Sequence, residues 1–354
     1  MDEINKIVEE VFVVHNFYQK KKIPVYVGYF KSDNIGENLI YLRSKLKEIS
    51  YVPAVYKLKD LYYAIEIHPE YKIKFKDLVL SLLLLLMTVF TTMFAGSMHY
   101  IGDFEKFLEK FPRSLLYGFP FSFSLLSILL SHEMGHFFLS RKFGVHSTLP
   151  YFIPVPHPLV GTFGAFIKVK SPIPNRRALI RIGAAGPISG IVVSIPFLIW
   201  GISNSKVVYL KDEGGIFLGD PLLFKFLFYL IRGDLPQDAD VLLHPVAFAG
   251  WIGLFVTAMN LLPFSQLDGG HIMYALLGEK FQIFQYIFFP FLILIGFLWP
   301  GWFFWGFLLL LFGLRHPPPI DNITPLDIKD KILGLLCILI FILTFHPVPF
   351  KVRY

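Results

Sequence analysis

The chain has 354 residues, 55% of them hydrophobic and only 17% charged, and its mean hydropathy of +0.57 excludes an ordinary soluble protein and is typical of a polytopic membrane protein. Its net charge is +7, but the basic residues lie beside apolar runs, where orientation in a membrane explains them better than binding to nucleic acid, so we expect no nucleic-acid partner. The single cysteine, Cys337, excludes an intrachain disulfide and a thiolate-rich metal site, so a metal must be held by nitrogen and oxygen.

Residues 1–76 form the only sizeable charge-rich stretch, and their pattern predicts a small soluble α+β domain. Runs rich in Val, Tyr and Ile predict strands at residues 25–30 and 61–67, and a weaker strand at 53–58. Apolar residues three and four apart predict amphipathic helices over residues 35–49 and 3–19. No group of residues in this domain has catalytic spacing, and we expect it to regulate the protein or to present substrate.

The rest of the chain, residues 77–354, contains seven apolar runs and is predicted to form a membrane-embedded domain of about six to seven transmembrane helices. The runs are residues 78–98, 114–140, 178–203, 245–263, 281–299, 302–314 and 332–345.

Charges in the short connections predict the orientation of these helices. Residues 141–181 contain seven Lys or Arg and no acid, whereas residues 204–243 contain four Lys or Arg and six acids. The positive-inside rule places the basic side in the cytoplasm. The N-terminal domain and the inner end of the second run are therefore expected on the cytoplasmic side.

The connection between the second and third runs has the pattern of a β-hairpin. It holds six prolines between residues 148 and 174 and a β-rich run at residues 161–170. Proline forbids a regular helix here, and backbone groups at membrane depth need hydrogen-bond partners. We expect a hairpin that dips into the membrane face with an available edge, although a plain surface hairpin without function remains an alternative.

The second run carries two imidazoles and a carboxylate, at His132, Glu133 and His136. On a helix, the two histidines of His-Glu-x-x-His lie on one face and can share a zinc ion, with the glutamate beside them as general base. A carboxylate in the middle of a transmembrane span costs about 3 kcal/mol on insertion scales. A pair of hydrogen-bonded core histidines is the alternative, and it leaves that cost unexplained.

A catalytic zinc site usually has three protein ligands and a water, so one ligand is missing from this motif. The best candidate is Asp268, which follows the fourth run in a segment broken by Pro263 and opened by two glycines. The second and fourth runs have the same direction and place their polar groups at similar depth, so the groups can meet. Asn260 makes either a catalytic contact or an interhelical hydrogen bond. His271 either supports a ligand or is an ordinary interfacial histidine.

The combination of HEMGH with NLLPFSQLDGG resembles the site-2 protease family of intramembrane zinc metalloproteases, over about residues 114–275. The resemblance implies one Zn²⁺ ion per chain held by His132, His136 and Asp268, with Glu133 as general base. It also implies that Asn260 holds substrate backbone or the developing oxyanion. Ala185-Gly186-Pro187 and Gly190 are also similar to features of this family. Residues 315–319 resemble an element found in one branch of the family, and their chemistry indicates no role for them.

The expected reaction is hydrolysis of a peptide bond within or next to the transmembrane segment of single-span membrane proteins, near the cytoplasmic face. A helical substrate hides its carbonyls and must unwind, so the strand that begins Gly161, Thr162, Phe163 and Gly164 is expected to pair with it by β-augmentation. Membrane lipid is the other expected partner, and the sequence leaves a homo-oligomer open.

Two other functions stay open on the residues alone. A membrane-anchored zinc protease acting on soluble or prenylated proteins would use a glutamate as third ligand, and Glu213 and Glu279 are the candidates. A metal transporter would instead carry acids and histidines along several runs. A non-catalytic relative is disfavoured, because the sequence contains His132, Glu133, His136 and Asp268.

Overall fold

The structure is a computed structural model, and it describes residues 1–20, 22–32, 35–58, 62–70, 74–209, 215–236, 239–322 and 325–353. A small N-terminal unit of mixed helix and sheet precedes a bundle of helices.

The N-terminal unit is an antiparallel sheet packed against two helices. Its elements are α1 (Asp2–Val11), β1 (Phe12–Lys20), β2 (Ile23–Phe30), α2 (Ile35–Glu48), β3 (Tyr51–Lys57) and β4 (Tyr63–Pro69). The strands lie in the order β1-β2-β4-β3. Val8 of α1, Leu46 of α2 and Ile65 of β4 are fully buried in one apolar core. Ile320, from far along the chain, is part of the same core.

The predicted helix over residues 3–19 is wrong beyond residue 11. α1 ends at Val11, and the following residues form β1, which pairs with β2 in antiparallel register. Aromatic pairs across these strands, Phe12 with Phe30 and Phe17 with Tyr26, contribute to the pairing. The helical spacing of residues 4–12 concealed the β-branched and aromatic residues that favour a strand. Leu61, at the start of one predicted strand, lies outside the described residues.

The remaining chain is mostly helical. Its helices are α3 (Phe75–Ile101), α4 (Phe104–Glu109), α5 (Arg113–Leu116), α6 (Phe119–Lys142), α7 (Arg176–Ser203), α8 (Leu222–Arg232), α9 (Pro245–Asn260), α10 (Asp268–Leu277), α11 (Lys280–Ile295), α12 (Gly301–Phe312) and α13 (Ile328–Thr344). Within the described ranges, α3 and α7 are long and apolar enough to cross a membrane, and α9, α11 and α12 are shorter apolar helices. The number of six to seven transmembrane helices therefore stays a prediction.

Small residues bring α6 and α7 together at the centre of the bundle. A Cβ atom on Gly135 would lie 2.6 Å from the carbonyl oxygen of Ala185, and the Ser189 hydroxyl donates to the carbonyl of Ser131 at 2.8 Å. Close contact between small residues is how helices associate in lipid, where no hydrophobic force drives them together. The histidines and the glutamate of α6 are buried within the bundle.

Three pairs of short strands complete the described fold. They are formed by β5 (Tyr151–Pro154), β6 (Thr162–Phe166), β7 (Lys206–Tyr209), β8 (Gly215–Leu218), β9 (Ala239–Leu242) and β10 (Phe350–Arg353). β5 pairs with β6 as the predicted hairpin, whereas the pairs β7–β9 and β8–β10 were not predicted. The β-rich run at 161–170 forms a strand only as far as Phe166, and Val169 makes an isolated bridge to Ser147.

Candidate metal centre

Three side chains converge where α6 meets the start of α10. The Oδ2 atom of Asp268 lies 3.1 Å from Nε2 of His132 and 3.2 Å from Nε2 of His136. The three donor atoms lie within 4.8 Å of one another. Among the residues that the structure describes, no other group of three or more His, Cys, Asp or Glu side chains comes together in this way. The sequence-predicted ligands therefore meet at one point.

This donor set fits a tetrahedral zinc ion. With bonds of about 2.0 to 2.1 Å, two ligand atoms at the tetrahedral angle are about 3.3 Å apart, which is close to both observed distances. Two imidazole nitrogens and one carboxylate oxygen leave the fourth position for water or substrate, as in catalytic zinc sites.

The ring of His136 is held in a ligating orientation by α7. A carbonyl oxygen can only accept, so Nδ1 of His136 donates to the carbonyl of Ile182, at 2.7 Å. This bond leaves Nε2 as the nitrogen with a free lone pair, which faces Asp268. A Cβ atom on Gly186 would lie only 2.0 Å from the same Nε2. The glycine of Ala185-Gly186-Pro187 is therefore required for space beside a ligand.

A break between α9 and α10 places the carboxylate. α9 ends at Asn260, whereas the fourth span was predicted to continue to residue 263, and Asp268 is the first residue of α10. The glycines that follow let this first turn pack against the backbone of the preceding turn. A Cβ on Gly269 would lie 2.0 Å from the carbonyl oxygen of Leu261, and one on Gly270 would lie 2.3 Å from that of Ser265.

Glu133 lies beside the ligands and contacts the hairpin. Its side chain is buried, and its Oε2 accepts a hydrogen bond from the backbone N–H of Ile167 at 2.8 Å. Ile167 is the residue immediately after β6. The residue predicted to be the general base is therefore in direct contact with the end of the strand predicted to bind substrate.

Asn260, the last residue of α9, is half-buried beside the first ligand. Its side-chain nitrogen lies 3.3 Å from Nε2 of His132. A side-chain amide group is thus present beside one of the three converging side chains.

Three of the four predicted substrate-binding residues are buried, and one is exposed. Gly161 has φ +80° and a Cβ there would lie 2.4 Å from the carbonyl oxygen of Thr91, so this residue packs the hairpin against α3. Thr162 is buried and its hydroxyl donates to the carbonyl of Ile153 at 2.8 Å. Phe163 is 79% exposed, whereas Gly164 is buried, has φ +96° and donates its backbone N–H to the hydroxyl of Thr162 at 3.0 Å. Of the four, only Phe163 is exposed enough to touch a peptide at this edge.

Several contributors to the site were not predicted. The carbonyl of Ile182 and the N–H of Ile167 are backbone groups, which side-chain motifs do not reveal. His271 lies 2.7 Å from His316, in the segment 315–319 for which the sequence indicated no role. Of the glutamates considered as third ligands, Glu279 lies just before α11 and is not part of the cluster, and Glu213 lies outside the described residues.

Comparison with known proteins identifies similar sequences. The sequence profile of peptidase family M50 matches residues 120–297, which is half of the chain. A protein of Arabidopsis thaliana named "Probable zinc metalloprotease EGY1, chloroplastic" is 29% identical over 296 residues, covering 76% of this chain and 53% of that protein. Another from the same plant, "Probable zinc metalloprotease EGY2, chloroplastic", is 26% identical over 274 residues, covering 72% of this chain and 49% of that protein. The chain spans about half the length of these relatives, and no solved structure matches it.

Proposed function

This chain belongs to peptidase family M50, the site-2 protease family, and from this premise we propose that it is a zinc metalloprotease that cuts membrane proteins within or next to their transmembrane segments. The resemblance that HEMGH and NLLPFSQLDGG indicated is confirmed, and membership makes the chain a membrane protein. The observation that carries the proposal is the convergence of His132, His136 and Asp268 next to a buried Glu133.

The proposed cofactor is one zinc ion held by the two imidazoles and the carboxylate. When bound, zinc supplies Lewis acidity to the scissile carbonyl and to the attacking water. The two ligands on α6 are fixed by one helix, and the third comes from α10, so the site forms only when the two helices are correctly packed.

Glu133 is proposed to take a proton from the attacking water and to pass it to the nitrogen of the leaving amine. It lies one residue from His132 on α6 and is 6% exposed, so bulk water does not compete for the proton. The amide of Asn260 is proposed to donate to the oxygen of the scissile carbonyl as negative charge develops there.

Substrate is proposed to bind as a strand along β6. Strand addition supplies hydrogen bonds to an unwound peptide, and β6 has only β5 as a partner among the described strands. The hydrogen bond from Ile167 to Glu133 supports this assignment, because it holds the end of β6 against the proposed base. Phe163 provides an exposed aromatic side chain at the same edge.

The proposed topology has seven spans, formed by α3, α6, α7, α9, α11, α12 and α13, with the N-terminal unit and the metal centre toward the cytoplasm. Two contacts at helix ends support this alternation. Tyr100, near the end of α3, lies 3.1 Å from His244 at the start of α9. Arg177 and Arg181, near the start of α7, donate to Asp330, near the start of α13, at 2.9 and 2.5 Å.

Exposed apolar side chains also support a lipid environment. Leu86 of α3, Ile287 of α11 and Leu335 of α13 are 70%, 71% and 63% exposed. A row of such residues on a water-facing surface is unfavourable, whereas lipid tails solvate them at no cost.

The test is cleavage of a single-span reporter by the purified full chain in lipid vesicles, compared with Glu133→Gln. The glutamine keeps an oxygen that accepts from Ile167, so the variant is expected to fold and to bind zinc. We expect cleavage by the wild type and none above background by the variant. Equal cleavage by both proteins would exclude Glu133 as the base.

A further inference from the structure

The segment 313–322, between α12 and α13, lies against the helix that carries the third ligand. The carbonyl of Gly313 accepts from the hydroxyl of Ser265, in the turn that precedes Asp268, at 2.5 Å. Further along, Nε2 of His316 lies 2.7 Å from Nδ1 of His271 on α10. The segment therefore contacts both the turn before Asp268 and the helix after it.

The far end of this segment is also fixed. The backbone N–H groups of Ile320 and Asp321 donate to the carbonyls of Ile173 and Pro174, both at 2.9 Å, just before α7 begins. The side chain of Ile320 is 7% exposed within the core of the N-terminal unit. Three consecutive prolines at residues 317–319 restrict the backbone between this anchor and His316.

His316 has little freedom to move. It is 7% exposed, and its ring stacks on that of Tyr274, with centroids 4.5 Å apart and planes 18° apart. Tyr274 is itself on α10, three residues after His271, so both contacts of His316 fall on one face of that helix. His316 therefore contacts α10 at two positions on the same face.

The same face of α10 includes the metal ligand. Asp268 precedes His271 by three residues, which places the two side chains as neighbours one turn apart. α10 is ten residues long and also packs against α7, α11 and α13, so the contacts of His316 act together with that packing. Ligand distances at a metal site must be correct to about 0.2 Å, so a small rotation of this helix is enough to weaken binding.

We propose that His316 is a positioning residue for Asp268 and acts through its hydrogen bond to His271. A metal ion shared by His271 and His316 does not explain the contact, because two nitrogens of one tetrahedral site are about 3.3 Å apart and these are 2.7 Å apart. The inference rests on the proposed zinc site, and it assigns a role to the segment 315–319.

The test uses three substitutions of His316, of which two place a side-chain nitrogen at different positions and one removes it. Glutamine places its amide nitrogen near the position of Nε2 and can still reach His271, whereas asparagine places it near Nδ1 and cannot. Alanine removes both the hydrogen bond and the stacking on Tyr274. Each full-length variant is purified, its apparent zinc affinity is measured by competition with a chelator, and kcat and KM are measured with the single-span reporter.

We expect His316→Ala and His316→Asn to bind zinc about 10-fold more weakly than the wild type, the lower end of the range for residues that support metal ligands. When free zinc is buffered below the dissociation constants, their observed kcat falls in the same proportion with KM little changed, and His316→Gln stays close to the wild type in both measurements. A reciprocal pair at His271, in which asparagine preserves the Nδ1 position and glutamine does not, is expected to show the opposite order.

Wild-type zinc affinity in His316→Asn would overturn the inference, as would a glutamine variant no better than the asparagine variant, because packing alone would then explain the contact. A thermal unfolding curve for the asparagine and glutamine variants checks that both are folded. A wild-type protein that binds no zinc would instead refute the proposed function itself, whatever the variants do.

Discussion

Substitution of Gly186 by alanine tests whether the ring of His136 must stay where it is for the metal to bind. The new Cβ would lie 2.0 Å from Nε2 and 2.5 Å from Cε1 of that ring. Non-bonded atoms of this kind prefer about 3.5 Å, so the ring must move by more than about 1 Å. Metal–ligand distances tolerate about 0.2 Å, and the displaced nitrogen can no longer act as a ligand.

The effect on folding is expected to be small, which separates it from the effect on the metal. Alanine is more favourable than glycine inside a helix by about 1 kcal/mol. Displacing His136 breaks its hydrogen bond to Ile182 and leaves that buried carbonyl without its partner, at a cost of about 1 to 3 kcal/mol, so the net loss of stability is at most about 2 kcal/mol. The metal-free protein should therefore remain folded and unfold only a few degrees below the wild type, while zinc content and reporter cleavage fall to background.

Gly190→Ala is the matched control for this experiment. Its Cβ would lie 3.2 Å from Nδ1 of His132, so that ring needs to yield only by a few tenths of an ångström. We expect this variant to retain most of its zinc and its activity. A Gly186→Ala protein with one zinc per chain and normal cleavage would refute the assignment of His136 as a ligand held against α7.

Four further outcomes are expected. Asn260→Ala should lower kcat about 100-fold with zinc content unchanged, and an unaltered kcat would exclude an oxyanion contact. Asp330→Asn removes the carboxylate shared by Arg177 and Arg181, whose side chains are 48% and 34% exposed, and should lower the free energy of unfolding by about 2 to 3 kcal/mol. An unchanged thermal unfolding curve would show that these ion pairs are energetically neutral. Ile320→Ala should destabilise the N-terminal unit by about 2 to 4 kcal/mol, measured by hydrogen exchange in residues 1–58. The control Ile40→Ala, at a 71% exposed position, should have almost no effect, and equal effects of the two substitutions would show that Ile320 does not stabilise that core. Chelation should abolish cleavage and added zinc should restore it, and chelator-resistant cleavage would contradict a metal-dependent mechanism.

Local signals in the sequence were enough to predict which side chains converge at the centre of the protein. His132 and His136 are four residues apart, so any helix through them places both on one face, and the surrounding apolar run predicted such a helix. The prolines between residues 148 and 174 excluded a helix, and the hairpin of β5 and β6 occupies that position. The likeness of HEMGH and NLLPFSQLDGG to a family was specific because the two motifs are far apart in the chain.

Features that depend on distant partners were not predictable. β8 pairs with β10, more than 130 residues further along, and neither strand is long enough to produce a period-two pattern of its own. The helix predicted over residues 3–19 failed because pairing with β2 outweighs the local helical spacing after residue 11. The contact of His271 with His316 joins residues 45 positions apart and depends on how α10 packs, so the sequence showed two histidines but no relation between them.

The most direct measurement of the central claim is zinc content together with X-ray absorption at the zinc edge, for the wild type and for Asp268→Ala. We predict one zinc per wild-type chain, with two imidazole nitrogens and a carboxylate oxygen at about 2.0 to 2.1 Å, and a loss of most of that zinc in the variant. Stoichiometric zinc with an unchanged absorption spectrum in Asp268→Ala would contradict it.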